Sequence, residues 1–205
     1  MKTIDKTVWQ KIKGFMDETE ADRLFEVALE AAGMGPLLEI GSYCGKSAFV
    51  IGSACREKGS VLFSIDHHRG SEEQQPGEAY FDPELYDKTL ARINTFPYLQ
   101  ETLARTGLED VVLPVLGSSP RVGAFWQTPL AMVFIDGGHT YDAASADYTT
   151  WADHVMPNGF LVFHDIFFDP EKGGQAPRKV YEQALESDKF TRVDLVNTLG
   201  ILKRS

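Results

Sequence analysis

Carboxylates and imidazoles suited to binding a metal or carrying a proton cluster in the second half of the sequence. Asp136 and His139 belong to the segment FIDGGH, and the pair His164-Asp165 follows a later apolar run. Two carboxylates with water suit a hard divalent ion such as Mg²⁺, which orients a substrate hydroxyl and lowers its pKa. An imidazole, whose ordinary pKa is near neutrality, can take that proton. Asp136, His164 and Asp165 are therefore a candidate metal site, and His139 is a candidate general base.

The same residues also have a purely structural interpretation. The segment from Asp136 to His139 would cap the helix that follows it, and His164 would be a hydrogen-bonded partner of Asp165. An imidazole among the ligands would also favour a borderline metal such as Mn²⁺, Fe²⁺ or Zn²⁺ over Mg²⁺. The sequence alone leaves open whether a metal binds and which metal it is.

A second group of residues forms a glycine turn in the segment EIGSYCGKS, residues 39–47. Gly41 allows a sharp turn, Gly45 allows close approach, and the free N–H groups of the helix start can hold an anion. The glycine spacing is GxxxG rather than GxGxxG, which counts against a dinucleotide site. Asp66 follows 27 residues after Glu39, and a carboxylate there can accept the hydroxyl protons of a ribose. The alternative for the turn is that its glycines are needed only for packing, and the alternative for Asp66 is that it is a solvated residue at the end of a strand.

These residues must be positioned by secondary structure, and the hydrophobic pattern predicts strands that alternate with helices. The predicted strands cover residues 37–40, 61–65, 111–116, 130–135, 160–163, 190–196 and 200–203. The predicted helices cover residues 18–32, 47–58, 85–103 with a break near Pro97, 141–155 and 178–187. This alternation predicts an α/β fold with a doubly wound, mostly parallel sheet, and the last two strands indicate one antiparallel edge strand. Each chemically suggestive residue follows a strand, at the edge where such sheets bind ligands.

Composition and charge exclude several classes of function. A net charge of −10 at pH 7 opposes a nucleic-acid-binding face, so we expect a small-molecule partner. No run approaches the ~20 apolar residues of a membrane span, the start MKTIDKTVWQKIKG lacks the apolar core of a signal peptide, and two cysteines make no disulfide framework. We expect a cytoplasmic, single-domain protein over residues 1–205, with a helical cap at 1–34 and a Rossmann-like core at 35–205. A homodimer is left open.

Together these motifs resemble class I S-adenosylmethionine-dependent methyltransferases. The resemblance rests on EIGSxxGKS after the first strand, Asp66 after the second, the turn GSS at 117–119, and FIDGGH, and it spans roughly residues 35–203. Within that class the chain resembles the small-domain group related to catechol and macrolide-sugar O-methyltransferases. The resemblance implies a Rossmann-like sheet of seven strands with the last strand antiparallel.

The resemblance also implies how S-adenosyl-L-methionine would be bound. The turn from Gly41 to Gly45 would hold the methionine part, Asp66 the ribose, and His67 would lie beside the adenosine. Ser118 or Ser119 would contact the adenine edge. The implied cofactor-binding residues are Glu39, Gly41, Ser42, Tyr43, Gly45, Ser47, Asp66, His67, Gly117, Ser118, Ser119 and Asp136. The chain departs from many relatives at Tyr43, where they carry a third glycine.

In the metal-dependent members of the group, Asp136, Asp165 and His139 match the places of two metal ligands and the base. His164 departs from the carboxylate that is usual in the macrolide relatives, and Ile166 departs from the amide of the catechol relatives. We therefore expect methyl transfer to an oxygen of a small molecule, with a divalent metal left open. The alternatives are a noncatalytic adenosyl-cofactor-binding protein on the same fold, a metal-dependent hydroxylase-like relative, and a nicotinamide-dependent oxidoreductase, which the missing GxGxxG opposes.

Overall fold

The strands in residues 3–205, the part of the chain that the computed structural model describes, form a central sheet of seven and a separate pair. The sheet strands are β1 Leu37–Ile40, β2 Leu62–Asp66, β5 Val112–Leu116, β6 Leu130–Ile135, β7 Val155–Phe163, β8 Phe190–Val196 and β9 Leu199–Arg204. The pair consists of β3 Tyr86–Asp87 and β4 Arg92–Ile93. The helices are α1 Lys6–Trp9, α2 Glu18–Ala31, α3 Lys46–Lys58, α4 Phe96–Thr106, α5 Ser119–Gly123, α6 Tyr141–Trp151 and α7 Ala176–Glu186.

The strand order is β5-β2-β1-β6-β7-β9-β8, and every pairing is parallel except those of β9. This confirms the predicted doubly wound, mostly parallel fold. One detail differs from the prediction, because the antiparallel strand β9 lies one place inside the edge and β8 is the edge strand. The connection through α7 places β8 two positions from β7, and the tight turn at Asn197-Thr198 folds β9 back into the gap between them.

Helices cover both faces of the sheet and bury its apolar residues. Leu37 on β1 packs with residues of α2, α3 and α4 on one face, and Leu38 packs with residues of α6 and α7 on the other. Because successive strand residues point to opposite faces, β1 is apolar on both faces except at Glu39. The chain leaves β1 toward β2 on one side, whereas β6 lies on the other side, so the sheet has a switch point beside β1.

The first long helix begins at a capping box that the sequence predicts. Asp17 caps α2 by accepting from Thr19 N at 2.8 Å, and Glu20 Oε2 accepts from Asp17 N at 3.1 Å. This reciprocal arrangement satisfies backbone donors that a helix start otherwise leaves free. It also fixes the position of Glu20, which has a second role described below.

The helix predicted over residues 85–103 is wrong in its first half. Residues 86–93 hold the short β3–β4 pair, and α4 begins at Phe96 with Pro97 in its first turn. Proline lacks an N–H and has a fixed φ, so it is favoured at the start of a helix and does not break this one. The strand predicted over residues 160–163 begins earlier, since β7 starts at Val155 and includes residues 157–159, where Asn158 has φ 65° and the register against β6 shifts. No helix within residues 3–205 is long and apolar enough to cross a lipid bilayer.

Candidate functional site

A cavity of about 950 Å³ opens at the carboxyl edge of the sheet. It is lined by residues that follow β1, β2, β5, β6 and β7. Residues 14–17 of the N-terminal segment also line it, and so do parts of two long loops, the first at residues 67–85 between β2 and β3 and the second at residues 164–175 between β7 and α7. The turn after β1 and Asp66 lie on the same side of the molecule, since Gly41 N donates to Ile65 O at 2.9 Å. The predicted strand-edge cleft is therefore present.

The turn after β1 contains three residues with positive φ, which are Gly41, Tyr43 and Gly45. Gly41 has φ 92°, and a Cβ at that position would collide with the backbone oxygen of Asp136, so only glycine fits between β1 and β6. Tyr43 has φ 47°, a conformation that costs free energy for a side chain of this size. Tyr43 N donates to Asp66 Oδ2 at 2.9 Å, which stabilises the turn in this path. The loop therefore keeps its course without the third glycine.

Asp66 connects the first two turns of the cavity wall. Its Oδ1 accepts from His68 N at 2.7 Å, while its Oδ2 accepts from Tyr43 N. His67 lines the cavity, whereas the buried side chain of His68 has Nδ1 2.7 Å from Thr95 Oγ1. A contact of His67 with adenosine stays a prediction. Both carboxylate oxygens retain a free lone pair for a hydroxyl donor.

Glu39 does not line the cavity, which corrects its prediction as a cofactor contact. Its side chain points to the face covered by α3 and is fully buried. Ser47 Oγ and Ser64 Oγ donate to its two carboxylate oxygens at 2.9 and 2.6 Å. Burial raises the pKa of Glu39 to about 8, against the lowering effect of the two serines. Glu39 therefore supports the turn from behind.

The turn after β5 lines the cavity on the other side of β2 from the glycine turn. Gly117, Ser118 and Ser119 all line it, and Gly117 N donates to Asp66 O at 3.1 Å. Ser119 Oγ accepts from Trp151 Nε1 at 2.7 Å, which ties this turn to α6. All three residues line the cavity, and their contact with a cofactor stays a prediction.

Asp147 is a cavity residue that sequence reasoning missed. It lies on α6, lines the cavity and is 5% exposed. Burial raises its pKa to about 6, while a hydrogen bond from Ser119 lowers it. The available signal was a carboxylate three residues after Ala144, on the apolar face of a helix.

Asp136, His139 and Asp165 form a compact cluster. One ligand atom of each lies within 4.8 Å of the others. His139 Nε2 lies 3.0 Å from Asp165 Oδ2, and Nδ1 lies 3.2 Å from Glu73 Oε2 in the first long loop. The hydrogen bond to Asp165 is the main cause that raises the pKa of His139 to about 9, against the effect of burial. Thr140, not the FIDGGH segment, caps α6 by accepting from Ala143 N.

His164 is not placed to be a metal ligand, which corrects that prediction. Its side chain is 4% exposed, with Nε2 3.1 Å from Glu20 Oε2 and Nδ1 3.2 Å from Asp136 Oδ1. Burial opposes protonation, but the surrounding carboxylates raise the pKa of His164 well above its usual range. Glu20 Oε1 also accepts from Thr198 N and Oγ1, each at 2.7 Å. The imidazolium is thus a buried cation beneath the cluster, and both of its nitrogens are occupied.

Aromatic residues from three segments meet at the cavity. Phe15 lies 5.8 Å from the ring of Tyr43 and 5.7 Å from that of Tyr80, and all three residues line the cavity. The position of Phe15 at the cavity could not be predicted, because no pattern in the sequence shows where the N-terminal segment crosses the sheet edge. Arg178, at the start of α7, pairs with Glu182 at 2.8 Å and does not line the cavity.

A comparison with protein families gives one match. The model of a family described as a methyltransferase domain matches residues 38–166, which is more than half of this chain. The match begins in β1 and ends just after Asp165, so it includes the glycine turn, Asp66 and the Asp136 cluster.

Several crystal structures are similar to this chain. PaMTH1 from Podospora anserina, a methyltransferase with SAH bound, has a TM-score of 0.68 at 12% identity, over 98% of this chain and 85% of that chain. The O-methyltransferase TomG from Streptomyces achromogenes, solved with SAM, has a TM-score of 0.64 at 16% identity, over 93% and 82%. An O-methyltransferase from Bacillus cereus in complex with SAH has a TM-score of 0.64 at 14% identity, over 98% and 90%. At these identities the likenesses show a shared fold.

Proposed function

Because this chain belongs to the family of methyltransferase domains, we propose that it binds S-adenosylmethionine in the cavity and methylates an oxygen of a small molecule. The observation that carries this proposal is the hydrogen bond of 2.9 Å between Tyr43 N and Asp66 Oδ2. It joins the glycine turn to the ribose-binding candidate on one wall of the cavity. The Asp136 cluster lines the same cavity.

The residues of this wall fit the adenosyl cofactor. Ser42 Oγ is buried and, among the described residues, has no hydrogen-bond partner, so a polar ligand group would satisfy it. The start of α3 has no side-chain cap at Gly45, which leaves backbone N–H groups for a carboxylate. The volume of about 950 Å³ is at the upper end of the ~300–1,000 Å³ typical of ligand pockets, so it has room for a cofactor and an acceptor.

When bound, S-adenosylmethionine supplies a methyl group that is already activated by a positive sulfur. The residues of this chain must then hold the acceptor in line, exclude water and remove the acceptor proton. We assign the removal of the acceptor proton to His139, because its imidazole lines the cavity beside two carboxylates. With a pKa of about 9, His139 is protonated at neutral pH, so it must release a proton before it can act as the base.

We further propose that Asp136 and Asp165 hold a divalent ion. Their carboxylate oxygens, with a nitrogen of His139, lie within 4.8 Å of one another, a spacing that suits a shared cation. The ion would lower the pKa of the acceptor hydroxyl, and its charge would also lower the pKa of His139. Since a nitrogen bound to metal cannot accept a proton, we assign His139 to proton transfer and the carboxylates to the metal.

Calorimetry with S-adenosylhomocysteine tests the cofactor half of the proposal. We expect binding by the unaltered protein and at least a ten-fold loss of affinity in Asp66→Asn, which keeps the size of the side chain. Asp110→Asn, on an exposed residue, is the matched control and should bind normally. If the unaltered protein binds neither S-adenosylmethionine nor S-adenosylhomocysteine, the proposed function is wrong.

Turnover measurements test the chemical half. A panel of hydroxylated small molecules should include one that gains a methyl group, and chelation with EDTA should abolish that activity until Mg²⁺ or Mn²⁺ is restored. Full activity after chelation would contradict the metal assignment. Cofactor binding with no methylated product from any hydroxylated, aminated or thiol acceptor would favour the noncatalytic alternative.

A further inference from the structure

Asp147 is a buried carboxylate in the cavity wall to which the proposed chemistry gives no role. Within residues 3–205 it makes no ion pair, and its raised pKa reflects burial more than any neighbouring charge. A buried acceptor with a single donor partner costs free energy unless a ligand or water completes its hydrogen bonds. Asp147 therefore has capacity for a donor that comes from the cavity.

The surroundings of Asp147 hold its carboxylate in one orientation. Trp151 Nε1 donates to Ser119 Oγ at 2.7 Å, so the single hydroxyl proton of Ser119 is free to be donated to Asp147. Gly137 provides the space on the other side, because a Cβ there would lie 2.7 Å from Asp147 Oδ2. The carboxylate is thus fixed between the turn after β5 and the turn after β6.

The sheet order identifies which part of the cofactor would meet Asp147. Asp66, the ribose candidate, ends β2, and the methionine candidate turn follows β1 on one side of it. The strand on the other side of β2 is β5, whose turn carries Ser119. The purine extends from the ribose away from the methionine part, and hence toward the turn after β5. Asp147, through its contact with Ser119, lies at that end.

We propose that Asp147 recognises the exocyclic N6 amino group of adenine and selects an adenine base over a 6-oxopurine. An ionised carboxylate only accepts hydrogen bonds, and the N6 group donates two. A 6-oxopurine presents a carbonyl oxygen at the same place, which would face the carboxylate without a donor between them. This inference rests on the proposed function and goes beyond it, since it assigns base specificity to a residue on α6.

The test compares S-adenosylhomocysteine with S-inosylhomocysteine, in which O6 replaces the N6 amino group. Calorimetry at pH 8 should show that the unaltered protein prefers the adenine compound by at least about ten-fold, as expected for a hydrogen bond to a charged group. Asp147→Asn should reduce that preference by about ten-fold or more, because the amide can donate to O6. Asp142→Asn, an exposed change on the same helix, should leave the preference unaltered.

The outcomes separate this inference from the proposed function. Tight binding of S-adenosylhomocysteine with the same preference in Asp147→Asn overturns the inference alone. A loss of thermal stability with an unchanged preference shows a structural role and also overturns it. If the unaltered protein binds neither compound, the proposed function fails and the inference fails with it.

Discussion

His164 and Glu20 form a buried pair, with Nε2 and Oε2 3.1 Å apart and each side chain 4% exposed. The two residues are 144 positions apart in the sequence, so the pair ties α2 to the end of β7. Burial alone would raise the pKa of Glu20, but the hydrogen bond to His164 and those from Thr198 outweigh it and lower the pKa. The pair lies directly beneath Asp136 and Asp165.

Glu20→Gln should destabilise the protein by about 3 kcal/mol, because it removes a negative charge from beside the buried His164 cation. The glutamine oxygen can still accept from Asp17 N and complete the capping box, whereas the NH2 group cannot accept from Thr198, so the change removes the charge and the Thr198 contacts but keeps the helix start. The measurement is urea unfolding at pH 7. Glu18→Gln, which breaks an exposed pair with Lys6, is the control and should cost less than about 1 kcal/mol. Equal stability of the two variants would contradict the buried-pair interpretation.

Gly41→Ala should damage the protein far more than Gly59→Ala. Both glycines have positive φ, 92° and 67°, so both alanines carry a backbone cost of about 1–2 kcal/mol. Only at Gly41 would an added Cβ strike a backbone oxygen, whereas a Cβ at Gly59 would extend into open space. Thermal melts should therefore show a modest loss for Gly59→Ala and a severe loss, or no soluble protein, for Gly41→Ala. Similar melting temperatures would refute the close approach of β1 and β6.

Glu39→Gln should remove part of the pH dependence of stability. The pKa of Glu39 in the folded protein, about 8, lies above the ordinary 4.5, so the folded state holds this proton more tightly. Its contribution is fully present below pH 4.5 and is lost as the pH rises toward 8. The free energy of unfolding should fall by up to roughly 1 kcal/mol per pH unit in that window, and less steeply in the variant. Unfolding curves at pH 5, 6, 7 and 8 measure both slopes, and identical slopes would show that Glu39 ionises normally.

His139 should titrate near pH 9 in protein without metal, as followed by NMR of its ring protons. Glu73→Gln removes one of the carboxylates that favour the charged ring, so it should lower the midpoint. Glu72→Gln alters the adjacent residue, which makes no hydrogen bond to His139, and should leave the midpoint unchanged. If His139 is the base, the rise of activity with pH should move down in Glu73→Gln as well. A midpoint near 6.5 in the unaltered protein would contradict the observed contacts.

The elements next to the glycine turn were predictable, and the orientations of the buried polar residues were not. Strand bounds for β1 and β6 follow from short apolar runs, and the capping box at Asp17 follows from local spacing. His164 was wrongly predicted as a metal ligand. The sequence shows that it precedes Asp165, but it does not show that Glu20 contacts its Nε2. Glu39 was wrongly predicted as a cofactor contact, because successive side chains of β1 alternate between the two faces of the sheet and that of Glu39 points toward α3. Asp147 was not predicted as a site residue, because a carboxylate on the apolar face of a helix indicates a site only when the turn that it contacts is known.

The contact between Thr198 and Glu20 spans 178 residues and supplies two of the hydrogen bonds that hold the Glu20 carboxylate beside His164. During synthesis on a ribosome, the N-terminal part of a chain emerges first, and its contacts with later residues form only after those residues have emerged. A nascent chain stopped before residue 198 would carry the glycine turn, Asp66 and the Asp136 cluster, yet Glu20 would lack this anchor. The part of the cavity wall around His164 therefore reaches its folded form only after residue 198 has been synthesised.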